Sequence, residues 1–173
     1  PHSLCPILKD LKSGSYHQLK RKVRYFLSRP FRVASSGFCL PNKGFIELIH
    51  ATKNLLKLKV PIKLNLFIPN YNDFEWYSKE ILQLVDDLDL SNYISIDNTY
   101  LQENQLVNYL SKFDLLVYPY QESNESSSAS VRQGISSGTP VAVTPNPIFD
   151  DLENIPIKLP GMSVELLTEG LYD

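Results

Sequence analysis

Cysteine, methionine and tryptophan are scarce in this chain of 173 residues, with two, one and one copies. Cys5 and Cys39 are too few for a disulfide framework or a metal cluster, so a reducing, cytoplasmic setting is the default expectation. No apolar run approaches the roughly 18 residues of a membrane-spanning helix. The opening PHSLCPILKD has neither the charge order nor the cleavage site of a secretory signal. It also lacks an initiator Met, and an excised piece of a longer protein is the expectation. Several signatures are missing as well. There is no G-x-x-x-x-G-K-[ST] phosphate loop, and no G-x-G-x-x-G follows the first expected strand. No G-x-S-x-G nucleophile elbow stands at an expected strand-to-helix turn. His2, His17 and His50 are scattered and form no constellation; a lone His50 on a core helix is more often structural than catalytic.

What is present reads as one globular domain. The chain is 43% apolar and 21% charged, and long enough to bury a core. Its net charge of −2 hides an asymmetry. Lys9, Lys12, Lys20, Arg21, Lys22, Arg24, Arg29 and Arg32 face only Asp10 within residues 1–32, and the remainder is acidic. This basic end suits an anionic membrane surface, an acidic partner or, more commonly, a solvated helix face. Confined to one end and without an aromatic-rich strand, it does not suit nucleic acid.

Along the chain, Tyr16, Leu19, Val23, Phe26 and Leu27 recur at helical spacing among the basic residues, and Arg29-Pro30 ends that run. Residues 1–30 therefore read as a basic linker with a helix. From residue 31 apolar strands alternate with amphipathic helices. Strands are expected at 31–35, 62–68, 93–96, 115–118, 141–143 and 155–159. Helices are expected at 45–56, 74–88, 102–112, 127–137 and 162–171, with Asp73 as the cap of the second and its acidic end frayed. Six strands alternating with helices predict an α/β fold: a doubly wound, mostly parallel Rossmann-like sheet with helices on both faces.

Two loops fall at carboxyl ends of strands, where open α/β sheets bind ligands. The first holds Gly37, Phe38, Lys43 and Gly44. A glycine lets the backbone approach a ligand closely, and a Lys ammonium suits a phosphate charge. An ordinary turn with a surface Lys explains this loop equally well. The second loop holds Glu125, Ser126, Ser127 and Ser128, with Arg132 and Gln133 one to two turns on. Ser hydroxyls and unpaired N–H groups at a helix start would ligate a diphosphate. Helix capping explains some of these residues but not why two such loops share one sheet edge.

The spacing within these loops resembles the carboxy-terminal, donor-binding domain of the group-one (family four) glycosyltransferases of the GT-B fold. In that family Gly-Arg, four residues and Lys-Gly make the first loop. Gly37, Lys43 and Gly44 match, with Phe38 in place of the Arg. A Glu, seven residues and a second Glu, then Gly-Thr-Pro-Val, make the second signature. Glu125 and Gly138-Thr139-Pro140-Val141 match, with Gln133 in place of the second Glu. Asp114 and Pro119 also fit, and the resemblance covers roughly residues 31–172. It implies that residues 31–173 bind a nucleotide diphosphate sugar, with Lys43 and Glu125 as the catalytic pair. Lys43 would hold the diphosphate and Glu125 the donor sugar. Ser126, Ser127 and Ser128 would offer backbone amides to phosphate, and Gln133 would bond the ribose diol without charge assistance. Arg132 is the candidate substitute for the cation that Phe38 removes.

The resemblance further implies no essential metal or cofactor. The acceptor site would lie in an amino-terminal domain that this chain lacks. The function implied is half of a retaining glycosyltransferase acting in surface glycan or polysaccharide biosynthesis, cytoplasmic or peripheral at the inner membrane face. Two rivals remain: half of a nucleotide-sugar epimerase, for which no convincing set of acidic or His catalysts is seen, and a non-catalytic Rossmann-like interaction domain with a degenerate site.

Overall fold

The computed structural model describes residues 29–122 and 127–172. The basic linker helix expected within residues 1–30 lies almost wholly outside them.

Six strands form one sheet: β1 (Phe31–Ser36), β2 (Ile62–Phe67), β3 (Ile94–Asp97), β4 (Leu115–Tyr118), β5 (Val141–Val143) and β6 (Ile157–Lys158). Their order is β3-β2-β1-β4-β5-β6, and every pairing is parallel. Five helices alternate with them: α1 (Phe45–Lys57), α2 (Glu75–Asp87), α3 (Glu103–Leu110), α4 (Ala129–Ser136) and α5 (Val164–Tyr172). Short 3-10 turns at Pro41–Lys43 and Pro147–Leu152 complete the set among the described residues.

The central strands are apolar because both faces are covered. Val33, Leu64, Leu66 and Val117 meet Phe45, Leu48, Ile49 and Leu55 of α1, Ile81 of α2 and Leu167 of α5 on one side. Ala34, Leu116, Tyr118 and Val143 meet Leu110 of α3, Val131 of α4 and Phe149 on the other. The apolar positions of α1 recur at intervals of three and four, which puts them on one stripe of the helix.

The expected elements are present, with shifts at their ends. β6 shrinks to Ile157–Lys158, because the Ile155 N–H bonds back to Leu152 O at 3.1 Å in the preceding turn rather than across to β5. Asp73 does not cap α2. It takes φ +66° in the preceding turn, and Phe74 is the N-cap without a side-chain bond. The acidic end of α2 is exposed but not frayed: Leu88 and Asp89 N–H groups bond back to Leu84 and Asp86, and Gln83 and Ser91 donate to Asp87 and Asp86.

β1 and β4 lie side by side, yet the chain leaves β1 toward β2 and leaves β4 toward β5. The loops after these two strands therefore diverge and open a crevice at their carboxyl ends, the switch point of a doubly wound sheet. Asp114 sits at the opposite edge. Its carboxylate accepts both guanidinium bonds of Arg29, at 2.5 and 2.6 Å, and the Arg32 N–H at 2.8 Å. Burial acts to raise this carboxyl's pKa, but the hydrogen bonds from Arg29 and Arg32 and their positive charges outweigh it and hold it below the ordinary value. Its work is to pin the entry to β1 against the start of β4.

Candidate functional site

A cavity of about 550 Å³ opens at the crevice, well inside the range of small-molecule sites. The loop after β1 contributes Gly37, Phe38 and Lys43; the start of α4 contributes Ser127 to Ser130, with Gln133 one turn on. The loops after β2 and β3 add Pro69, Tyr71, Thr99 and Tyr100, and the start of α3 adds Gln102 and Glu103.

The two loops named from the sequence are locked together. The Gln121 N–H bonds Asn42 O at 2.9 Å. Gly44 ends the 3-10 turn and begins α1 at φ +72°, and a Cβ there would lie 1.9 Å from Pro119 O. Only glycine meets both demands. A Cβ on Gly37 would meet Ser130 Oγ at 2.8 Å, so the first loop also lies directly against α4.

Lys43 is 6% exposed, an unusual degree of burial for a lysine. Its Nζ lies 4.1 Å from the centroid of the Tyr120 ring. Tyr120 is buried, and its hydroxyl meets Ser128 Oγ at 2.8 Å. Ser128 caps α4 by accepting the Val131 N–H at 3.4 Å. The first N–H groups of α4 and the positive end of its dipole thus face the same cavity as the Lys43 loop. Nearby, Ser36 Oγ and Tyr118 Oη share a buried bond of 3.0 Å, and burial holds the Tyr118 phenol neutral by raising its pKa.

Phe38 stands at the mouth, 41% exposed. It meets Tyr71 edge-on at 5.0 Å and stacks on Tyr100 at 6.4 Å. The rim of the cavity is therefore aromatic.

Of the residues singled out from the sequence, Gly37, Phe38, Lys43, Ser127, Ser128 and Gln133 line the cavity. Gly44 does not line it but holds the loop that does. Arg132 is not among the residues that line the cavity, and its guanidinium pairs with Asp151 on the Pro147–Leu152 turn. The physical reason is helix rotation. Val131 and Gly134 are the buried residues of α4, which turns Arg132 outward. Glu125 and Ser126 lie outside the described residues. Tyr71, Tyr100 and Tyr120 carried no sequence signal, because an aromatic in a loop resembles any exposed aromatic until the fold brings it to a site. Gly134-Ile135-Ser136-Ser137-Gly138 has the letters of a nucleophile elbow but forms the end of α4. Ser136 and Ser137 donate to Arg132 O and Gly134 O of the same helix. Among the described residues, no group of three His, Cys, Asp or Glu could hold a metal ion, and no helix is long and apolar enough to cross a membrane.

No protein-family model matches the chain, and no curated protein is similar to it in sequence. Solved structures share its fold. An α,α-trehalose-phosphate synthase (UDP-forming) from Burkholderia xenovorans superposes with a TM-score of 0.72 at 9% identity, over 87% of this chain and 37% of that one. Anabaena HepE, solved in complex with UDP and glucose, superposes with a TM-score of 0.68 at 17% identity, over 91% of this chain and 42% of that one. The C-terminal domain of the group 1 glycosyltransferase LpcC from Francisella tularensis gives 0.65 at 15% identity, over 92% of this chain and 81% of that domain. The fold is that of one half of a GT-B glycosyltransferase, and the chain spans about two-fifths of the longer structures it matches.

Proposed function

On that likeness of fold, we propose that this chain is the donor-binding domain of a retaining glycosyltransferase. The whole enzyme takes a sugar from a nucleotide diphosphate sugar and joins it to a hydroxyl acceptor in the building of a surface glycan. The acceptor site belongs to an amino-terminal half outside this chain. The observation that carries the reading is the convergence of Lys43 and the start of α4 on one cavity at the switch point between β1 and β4.

The chemistry follows from charge. When the bond between sugar and diphosphate breaks, negative charge grows on the departing phosphate oxygen. A lysine ammonium and fixed N–H dipoles already aimed at that position stabilise the charge without reorganising. In this reading Lys43 and the first N–H groups of α4 hold the diphosphate. The Ser128 oxygen accepts the Val131 N–H in capping, so the first N–H groups of α4 left without a helix partner are the phosphate donors. Gln133 bonds the ribose diol, and Glu125 accepts hydrogen bonds from the donor sugar. No metal or cofactor takes part, and the protein works in the cytoplasm.

Calorimetric titration with UDP, GDP, ADP and their sugar conjugates tests this reading, with Lys43→Ala as the control. One nucleotide is expected to bind, and Lys43→Ala to weaken it at least tenfold, the scale of a charge-assisted contact. The rival is a non-catalytic domain with a degenerate site, favoured by the exposed Phe38 where a cation would stand. Binding of none of these nucleotides would select the rival.

A further inference from the structure

The geometry points to Tyr120 as a positioning residue that couples the two halves of the diphosphate site. This rests on the donor-binding reading above and adds a residue that the loop signatures do not contain. One face of the Tyr120 ring receives the Lys43 ammonium at 4.1 Å. The far end of the same ring, its hydroxyl, meets the capping Ser128 at 2.8 Å. A single rigid side chain therefore spans from the cation of the first loop to the start of the helix that follows the second.

The span is held by the packing around Tyr120, which is buried. Its ring packs on Phe149 at 5.1 Å and against Tyr118 at 6.4 Å. Its backbone O accepts the Thr144 hydroxyl at 2.6 Å. The ring also answers a specific difficulty. Lys43 is almost fully buried, and an ammonium out of water needs compensation to stay charged and in place. The negative face of an aromatic ring supplies part of that compensation. Both phosphate-facing groups are thereby set before ligand arrives, which lowers the ordering cost of binding.

The test is a double-mutant cycle on the full 173-residue chain, titrated with UDP, GDP and ADP. Tyr120→Phe keeps the ring under Lys43 and removes the link to Ser128. Tyr120→Leu removes both. Tyr120→Phe is expected to weaken nucleotide binding about fivefold, the scale of one buried hydrogen bond. Tyr120→Leu is expected to weaken it about fiftyfold when Lys43 is present, the lost Ser128 link compounded with about tenfold for the lost ring face, but only about fivefold in a Lys43→Met background, where the ring face has no cation to hold and the Ser128 link alone is lost. The side-chain proton resonances of Lys43 supply a readout independent of affinity: their ring-current displacement persists in Tyr120→Phe and disappears in Tyr120→Leu. Additive losses in the cycle, or unchanged binding in both Tyr120 variants, overturn the coupling while leaving the donor reading intact. Failure of the wild-type chain to bind any of the three nucleotides overturns both.

Discussion

Gly44 and Gly138 share a backbone conformation, φ +72° and +75°, but not a neighbourhood. A Cβ at Gly44 would enter Pro119 O, whereas nothing lies within 4 Å of a Cβ at Gly138. The pair separates conformational strain from crowding. Gly138→Ala is expected to cost about 1 kcal/mol, the penalty of a left-handed residue alone. Gly44→Ala is expected to cost about 3 kcal/mol or more, since backbone must also move. Urea midpoints with an unchanged slope would measure both. Equal losses at the two positions would show that the contact with Pro119 carries no weight. The same contact sets where Lys43 sits, so Gly44→Ala should also weaken nucleotide binding beyond its effect on stability.

At the scale of elements, the chain entering β1 is tied to the start of β4 through Asp114, remote from the cavity. The Asp114 pKa is lowered in the folded protein. The unfolded chain therefore binds more protons as pH falls through the carboxylate range, and the stabilisation is present above the ordinary Asp value and lost below it. Wild-type stability is expected to decline as pH drops below about 4. Asp114→Asn should flatten that decline and cost about 2 kcal/mol near neutrality, because one accepting oxygen becomes an NH2 that cannot accept from Arg29 or Arg32 and the remaining bonds lose the carboxylate charge. Thermal melts of both proteins between pH 7 and 3 would check the slope; parallel curves would remove Asp114 from the acid response. Nucleotide affinity at pH 7 should be the same in both, because Asp114 and the cavity lie at opposite edges of the sheet.

For the molecule as a whole, the proposed function makes the site one wall of a cleft. In the proposed reading Lys43 and α4 hold the diphosphate, and the acceptor hydroxyl is bound by the other half of the enzyme. The chain alone is expected to bind its nucleotide and to transfer no sugar. Saturation at about 100 times Kd should raise its stability by about 2.7 kcal/mol, visible as a shift in melting temperature. Sugar transfer to water or to an added alcohol at a rate dependent on this chain would contradict the division of labour between two halves.

Much of the fold was legible because its signals are local. Apolar runs such as Leu115–Tyr118 and Val141–Val143 suit strands buried on both faces, and the stripe from Phe45 to Leu55 suits a helix on a sheet. The spacing of Gly37, Lys43 and Gly44 marked a loop that lines the cavity, and Gln133 lines it too. Other features depend on partners distant in the chain. The rotation of α4 about its own axis sends Arg132 to Asp151, and helical periodicity alone left its direction open. The cap of α2 fell to Phe74 because the chain turns at Asp73 with positive φ, where capping preference predicts the aspartate. Tyr120 acquires its place only when Lys43 and Ser128 arrive from either side, and Phe38 meets Tyr71 and Tyr100 only because β1, β2 and β3 are neighbours. The sequence by itself determined the elements, their alternation and the loops richest in phosphate-binding chemistry, since these depend on neighbours a few residues away. Only the tertiary structure decided which side chains face one another across the crevice, because strand order and helix rotation are set by packing between residues far apart in the chain.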